Sequence, residues 1–331
     1  GEIAVHYVEH GVGRPVLVLH GAGVDHREPE ACFEPVFAGV AGSRRIYPDL
    51  PGMGRTVAPD GLRSAEDVLD TLLDFAEEVT DGTAYLLIGH SAGGYYAQAM
   101  AARLPGQVAG LALVCPLLPG VRDVPEHRVV FGSGEIGDDD FRSYFVVQSP
   151  EMLERHERYV APAAALVDQA ALERIGERWD LAPEHRPAYA GPTLVVAGRL
   201  DSTVGYAAAA DLLDYYPHAT LTVADDAGHA LPHEQPDLLR AVVADWLARR
   251  ALRLKRPRPD AARPGHADAA ECRIRLWLDQ RADRGRSGRS LSEERGCSDS
   301  SAGPRSDQES RSARVSSGLA FLQMAGIAPS P

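Results

Sequence analysis

The chain has 331 residues, of which 44% are hydrophobic and 24% are charged. This composition is close to that of ordinary globular proteins, so the chain can bury a sizeable core, and disorder throughout is excluded. The net charge is −13, and the acidic excess lies in residues 1–250 because basic residues outnumber acidic ones afterwards. Such a field repels nucleic acid and anionic membrane surfaces, and we expect neither as a partner.

The cysteines and the N-terminus indicate the compartment. The four cysteines are too few and too scattered for a disulfide framework or a zinc site with paired spacing: Cys32, Cys115, Cys272 and Cys297. The first ten residues lack a basic start followed by an apolar run, and no run of about 18 apolar residues occurs. We therefore expect a cytoplasmic protein in a reducing environment.

Apolar runs alternate with helix-like stretches, the pattern of an α/β protein with a mostly parallel sheet. Ile3–Glu9 alternates polar and apolar residues, and Pro15–His20 is continuously apolar. With glycines between them, the two segments predict a hairpin that leads into a buried strand. Arg44–Asp49 predicts the next strand, and apolar residues at helical spacing predict a helix over Ser64–Thr80.

The middle of the chain predicts a strand, a sharp turn and a helix. Ala84–Ile88 has the composition of a buried strand, and Tyr95–Leu104 that of a helix ended by a proline and a glycine. Between them lies Gly89-His90-Ser91-Ala92-Gly93.

The rest of the chain predicts further strands of the sheet and the helices between them. Further strands are expected at Val108–Leu118, Thr193–Gly198 and Ala219–Ala224, and helices at Ala207–Tyr215 and Asp237–Arg249. These elements complete an alternating α/β arrangement.

Composition divides the chain into three parts. Residues 1–119 and 190–250 carry the α/β pattern and form the predicted core. Residues 120–189 contain scattered aromatic and helical stretches, such as Pro150–Ile175, and predict a helical lid inserted into the core. Residues 251–331 lose the apolar periodicity, which predicts either a disordered tail or a spurious translated extension.

The serine in the sharp turn is the predicted nucleophile. The segment fits G-x-S-x-G between a strand and a helix, where side chains at Gly89 and Gly93 would collide with the neighbouring elements. The turn projects the Ser91 hydroxyl above the sheet. It also places the Ala92 amide at a helix N-terminus, where it can donate to an oxyanion.

A serine hydroxyl needs a base, and the base needs an orienting acid. Both should lie at the carboxyl ends of strands, because ligands bind there in open α/β sheets. Asp201 follows the strand Thr193–Gly198, and His229 follows the last strand. The chain order serine, aspartate, histidine is the one expected for this arrangement.

Alternatives stay open at both positions. Asp201 could merely cap the following helix, with Asp225 or Asp226 supplying the carboxylate. His233 is the second choice for the base and would otherwise line the entrance of the site.

The loop after the early strand should supply the second oxyanion donor. In His20-Gly21-Ala22-Gly23 the glycines let the backbone turn its amides inward. We assign the donor to the Ala22 amide, with Gly23 as the alternative. His20 and His90 are interpreted as braces of the active-site loops.

These motifs together resemble the α/β-hydrolase superfamily, in the branch with a helical lid and a Ser-Asp-His triad. The resemblance covers residues 3–250 and rests on five segments in order: His20-Gly21-Ala22-Gly23, Asp49-Leu50-Pro51-Gly52-Met53-Gly54-Arg55-Thr56, Gly89-His90-Ser91-Ala92-Gly93, Gly198-Arg199-Leu200-Asp201 and Gly228-His229-Ala230-Leu231-Pro232-His233-Glu234-Gln235-Pro236.

The resemblance implies a serine hydrolase that cleaves a small-to-medium carboxylic ester, lactone or related acyl compound through an acyl-enzyme on Ser91. Haloalkane dehalogenases and epoxide hydrolases of the superfamily carry aspartate at the position of Ser91, so the resemblance argues against those two activities. Haloperoxidase-like chemistry, C–C bond hydrolysis, aminopeptidase activity and ligand binding on a hydrolase scaffold remain alternatives.

The remaining expectations concern partners and the pocket. A small molecule is the expected partner, no cofactor or metal is expected, and the chain would be a monomer or a homodimer. Aromatic residues of the lid are predicted to line the substrate pocket, or else to pack on one another: Phe131, Tyr144, Phe145 and Trp179.

Overall fold

The computed structural model describes residues 3–119, 123–132, 135–181 and 189–255, with the backbone alone at 252–255. The predicted tail at 251–331 therefore lies outside the described residues, apart from 251–255. These five residues continue the last helix instead of beginning a disordered segment.

A seven-stranded sheet forms the centre of the fold. Its spatial order is β1-β3-β2-β4-β5-β6-β7, and every neighbouring pair is parallel except β1 with β3. The predicted mostly parallel sheet is confirmed. The strands are β1 Tyr7–His10, β2 Arg14–Leu19, β3 Ser43–Pro48, β4 Tyr85–His90, β5 Val108–Val114, β6 Thr193–Gly198 and β7 Ala219–Ala224.

The predicted hairpin between the first two strands is wrong. β1 pairs with β3, where Tyr7 faces Pro48, whereas β2 lies between β3 and β4. The glycines between β1 and β2, Gly11 and Gly13, have φ values of 75° and 123° and redirect the chain without pairing the two strands. The burial patterns fit this placement, because alternation suits an edge strand and a continuous apolar run suits a central one.

Helices cover both faces of the sheet. The helices outside the region between β5 and β6 are α1 Arg27–Phe37, α2 Ala65–Thr80, α3 Ala92–Arg103, a 3₁₀ turn Ala207–Asp211, α8 Leu212–Tyr215, α9 Leu231–Glu234 and α10 Pro236–Lys255. Val16 and Val18 of β2 pack in the same cluster as residues of α1 and α10. Leu17 and Leu19 pack with α2 and α3 on the opposite face.

Local sequence explains the helix starts. Ser64 caps α2, since its hydroxyl accepts from the Asp67 amide at 3.2 Å and donates to the Asp67 carboxylate at 2.7 Å. The helix α3 begins at Ala92, three residues before the predicted start, and its Gly93 and Gly94 lie close to β2 and to Pro116. The helix α1 was not predicted.

The described residues between β5 and β6 form no strand of the main sheet. We call residues 123–132 and 135–181 of this segment the insert. Its elements are α4 Asp139–Tyr144, α5 Pro150–Arg155, a π-helical turn His156–Val160, α6 Ala161–Ala164 and α7 Gln169–Gly176. The helical stretch predicted over Pro150–Ile175 is therefore continuous over 150–164, with a π-helical turn inside it, and is interrupted between α6 and α7.

Within the described ranges of the chain, no helix combines the length and the apolar character that a membrane-spanning segment needs.

Candidate active site

Ser91 stands in a strained turn between β4 and α3. Its φ of 52° and ψ of −120° lie outside the regions that most side chains adopt. The Ser91 amide donates to the Val114 carbonyl at 3.1 Å, which anchors the turn to β5. A Cβ at Gly89 would strike the backbone of Gly93, and one at Gly93 would strike the backbone of β2. The glycines of the motif are therefore required by backbone approach.

His229 and Asp201 form a buried pair at the carboxyl ends of neighbouring strands. The His229 Nδ1–H donates to Asp201 Oδ2 at 2.8 Å. Burial alone would lower the pKa of His229, but the charge and the hydrogen bond of Asp201 raise it above its ordinary value. Nδ1 is thus held protonated, which leaves Nε2 as the basic nitrogen.

Asp201 also caps the turn that follows it. Its Oδ1 accepts from the amides of Thr203 and Val204, both at 2.9 Å. The two interpretations left open by the sequence are therefore compatible, since one carboxylate oxygen serves the turn and the other serves His229.

The alternative residues lie elsewhere. The Asp225 side chain is 82% exposed beside Arg199, and Asp226 is exposed as well. His233 is buried and does not line an entrance. It donates to Glu28 at 3.2 Å and accepts from Arg155 at 3.0 Å.

His90 joins the serine turn to the histidine loop. Its Nε2–H donates to the His229 carbonyl at 3.0 Å, and the two rings lie 5.0 Å apart. Burial and the charge of His229 lower the pKa of His90 to about 4, so the ring is neutral at physiological pH. His20 has a similar role, because it donates to the Gly21 carbonyl at 2.6 Å and accepts from the Leu50 amide at 2.8 Å. Both contacts agree with the bracing interpretation.

The two predicted oxyanion donors flank Ser91. Ala92 is the first residue of α3, a position whose amide has no partner within the helix. A Cβ at Gly21 would lie 3.2 Å from the Ser91 Cβ, so the β2 loop closely approaches the serine. The Gly23 amide donates to Met53 Sδ at 3.3 Å, whereas no acceptor for the Ala22 amide lies among the described residues. The Gly23 amide is therefore engaged with Met53, and Ala22 stays the predicted donor.

An apolar cavity adjoins these amides. It is lined by Ala22, Leu50, Pro51, Met53, Val68, Ala92, Tyr96, Leu172, Ile175 and Trp179. Trp179 is the one predicted pocket residue in this wall, where it stacks on Tyr95 at 5.0 Å.

The other predicted pocket residues are more distant from the cavity. The Tyr144 ring lies 6.2 Å from the His229 ring and thus borders the candidate triad. Phe145 is fully buried and packs on Phe141 and His233. Phe131 is 62% exposed. For Phe145, aromatic packing within the insert describes the contacts better than pocket lining.

Among the described residues, His6, His26 and Asp49 form a group of potential metal ligands outside the candidate triad. His6 and His26 donate from Nδ1 to opposite oxygens of the Asp49 carboxylate, at 2.9 and 2.7 Å. The same carboxylate accepts from the His26 and Arg55 amides, both at 2.9 Å. Asp49 is therefore fully engaged as a brace of its loop.

The sequence did not single out two glutamates beside the candidate triad. Glu28 is buried in α1 and accepts from Tyr144 and His233. Glu234 accepts from three backbone amides around the His229 loop. Glu234 belongs to a quoted motif, but Glu28 has no local signal because its partners come from distant parts of the chain.

Similar proteins place this arrangement in context. The chain is 27% identical over 259 residues to the magnesium-chelatase 30 kDa subunit of Rhodobacter capsulatus, covering 71% of this chain and 87% of that protein. It is 27% identical over 260 residues to the 2-hydroxymuconate semialdehyde hydrolase of Pseudomonas sp. (strain CF600), covering 72% and 88%. Esterases occur among the further matches.

A solved structure supports the same fold. The alpha/beta superfamily hydrolase from Oenococcus oeni PSU-1 has a TM-score of 0.69 and 26% sequence identity, and the match covers 75% of this chain and 96% of that one. A profile of the alpha/beta hydrolase family matches residues 16–242. The resemblance to the α/β-hydrolase superfamily is therefore confirmed, and the chain belongs to the alpha/beta hydrolase family.

Proposed function

We propose that the chain is a serine hydrolase that cleaves a small-to-medium carboxylic ester, lactone or related acyl compound. The observation that carries the proposal is the 2.8 Å contact between His229 Nδ1 and Asp201, at the same sheet edge as the strained turn of Ser91. An aspartate that fixes the tautomer of a buried histidine prepares the other ring nitrogen to act as a base.

The proposed reaction proceeds through an acyl-enzyme. His229 Nε2 accepts the Ser91 proton while Ser91 Oγ attacks the carbonyl carbon, and the amides of Ala22 and Ala92 donate to the oxyanion. The histidinium then protonates the leaving alcohol. Water, deprotonated by the same histidine, releases the acid and restores the serine.

The cavity and the insert indicate the substrate class. The wall beside the oxyanion amides is apolar, so it favours an uncharged acyl group of modest size. We propose that the insert acts as a lid, because Trp179 of the insert lines this cavity and Tyr144 borders His229. The proposed partner is thus a small molecule, with no cofactor in the reaction.

A fluorophosphonate probe and p-nitrophenyl esters of increasing chain length test the proposal. We expect labelling at Ser91 and ester turnover, with turnover lost in Ser91→Ala. Asp225→Asn is the matched control, since its carboxylate is exposed on the loop before His229. A folded protein that neither labels nor turns over any ester would contradict the proposal and favour ligand binding on a hydrolase scaffold.

A second candidate follows from one relative. Similarity to the 2-hydroxymuconate semialdehyde hydrolase extends over 88% of that protein, and its substrate belongs in the same panel. Faster turnover of 2-hydroxymuconate semialdehyde than of every ester would favour hydrolysis of a carbon–carbon bond by the same residues.

A further inference from the structure

Glu234 connects three backbone amides from two parts of the chain. Its Oε2 accepts from the Gly228 amide at 2.8 Å. Its Oε1 accepts from the amides of Val146 and Val147, at 2.7 and 3.1 Å. Gly228 immediately precedes His229, and the two valines belong to the insert. One carboxylate therefore bridges the peptide before the candidate base and the backbone of the insert.

The two connected segments are also in close contact. A Cβ at Gly228 would lie 2.8 Å from Val146 Cγ1, nearer than such atoms approach in real structures. A methyl group at position 228 would therefore force the Val146 side chain of the insert to shift. This contact is independent of the hydrogen bonds, and it indicates that the relative position of the two segments is narrowly fixed.

A carboxylate suits this position better than any other side chain of similar size. Its two oxygens accept without donating, and all three partners are N–H donors. A glutamine would have to turn its NH₂ group toward Gly228 or toward the valines. Either orientation sets a donor against a donor in a partly buried place, where an unmet polar group is costly.

We propose that Glu234 is a positioning residue for the reaction: its carboxylate fixes the peptide before His229 against the insert, so that the base and the insert are held as one unit. This inference rests on the proposed function for its kinetic part. Its structural part, the connection between loop and insert, is independent of any activity.

Several ionisable groups surround Glu234. His233 precedes it in the chain, Cys115 after the end of β5 interacts with its charge, and His229 follows the Gly228 peptide that Glu234 holds. The charge of Glu234 contributes to the raised pKa of His229, although the carboxylates of Asp201 and Glu28 contribute more. Removing the Glu234 charge should therefore lower the pKa of His229 without releasing it from Asp201.

The test compares Glu234→Gln with Asp237→Asn. Both variants remove one negative charge without changing side-chain size, but the Asp237 side chain is 89% exposed and pairs with Arg240 on the surface. Amide hydrogen exchange at Gly228, Val146 and Val147 is followed by NMR in both variants and in the wild type. The pH profile of kcat/KM is recorded with p-nitrophenyl acetate.

In Glu234→Gln we expect the amides that face the NH₂ group, either that of Gly228 or those of Val146 and Val147, to exchange roughly 10-fold faster, since they lose their acceptor. We expect kcat/KM to fall roughly 10- to 100-fold, because small displacements of a base have effects of this size. The acid limb of the profile should also shift to lower pH. Asp237→Asn should match the wild type in all three respects.

The outcomes are separable. Unchanged exchange at the three amides in Glu234→Gln would overturn the connection itself. Faster exchange with kcat/KM equal to that of Asp237→Asn would overturn the positioning role. If the wild type neither turns over esters nor labels at Ser91, the proposed function fails, and exchange alone then decides whether Glu234 joins the loop to the insert.

Discussion

Tyr144 of the insert donates a 2.7 Å hydrogen bond to Glu28 in the first turn of α1, while its ring lies 6.2 Å from the ring of His229. A residue that borders the candidate base is thus fastened to a buried carboxylate of the core. Glu28 also accepts from His233, so the core, the insert and the histidine loop meet at one side chain.

Tyr144→Phe should weaken this junction. The substitution removes one donor from an ionised, buried acceptor, and hydrogen bonds to charged groups contribute about 1.5–3 kcal/mol. We expect the free energy of unfolding to fall by an amount in this range, measured by urea denaturation. Tyr215→Phe is the control, because Tyr215 is 53% exposed. Equal effects of the two substitutions would show that the Glu28 contact contributes nothing to stability.

Glu28 predicts a specific loss of stability in acid. Burial alone would raise its pKa, but the hydrogen bond from His233, the charges of nearby imidazoles and the hydrogen bond from Tyr144 lower it to about 2, from an ordinary 4.5. Because the folded-state pKa is the lower one, the ionised group stabilises the fold above about 4.5, and this contribution disappears as the pH falls toward about 2.

Glu28→Gln should therefore flatten the dependence of unfolding free energy on pH within this window. Denaturation of wild type and variant at several acidic pH values measures the difference. Two parallel curves would mean that Glu28 titrates with the same pKa in the folded and unfolded states.

Asp201→Asn tests the pairing with His229. An asparagine offers its NH₂ group to Nδ1 and thereby favours the wrong tautomer of the histidine, a change that lowers kcat by about 10⁴ in serine hydrolases with this constellation. We expect a loss of this size against p-nitrophenyl acetate, whereas Asp225→Asn should stay near the wild type. A larger loss of kcat in Asp225→Asn than in Asp201→Asn would mean that Asp225, and not Asp201, is the acid.

Gly228→Ala tests the close approach of the insert. The added methyl group would lie 2.8 Å from Val146 Cγ1, and overpacking of this kind costs about 1–3 kcal/mol. Val146→Ala should recover part of that loss in the double variant, which a double-mutant cycle of unfolding free energies measures. Strictly additive effects would place the strain of Gly228→Ala somewhere other than at Val146.

Met53→Ala should widen the cavity beside the oxyanion amides. Because each methylene accommodated in an apolar pocket changes kcat/KM by about 10-fold or more, we expect the preferred acyl chain of p-nitrophenyl esters to lengthen. Met152→Ala is the control, since Met152 is similarly buried but packs with Phe141, Phe145 and Ala230 and does not line this cavity. If Met53→Ala keeps the same preferred chain length, this cavity does not bind the acyl chain.

The sheet and the serine turn could be predicted because their causes are local. The strands β6 and β7 have the bounds that their apolar runs predict. The glycines on either side of Ser91 predict a sharp turn, because side chains at these two positions would collide with neighbouring elements. The position of Asp201 at the carboxyl end of a strand could be predicted because it comes after the apolar run of β6. The sequence could not show that its carboxylate contacts both His229 and the following turn.

What the sequence could not show depends on distant contacts. The pairing of β1 with β3 is determined by the burial of β2 between two parallel neighbours, not by the short distance between β1 and β2 along the chain. The roles of Glu28 and Glu234 depend on donors from the insert, from beyond position 140. Phe131 and Phe145 have the same residue type, and only the packing of the insert exposes one and buries the other.

The placement of the insert between β5 and β6 has a consequence for protein engineering. Ser91, Asp201 and His229 all lie outside it, so a foreign insert could be grafted between the two strands without altering the residues that would perform the chemistry. A graft would still have to supply partners for Glu28, His233 and Glu234, which face the insert from the core. Grafted inserts that supply partners for these three residues should yield folded chimaeras with new selectivity. Inserts that do not supply them should leave the loop that carries His229 without these stabilising contacts.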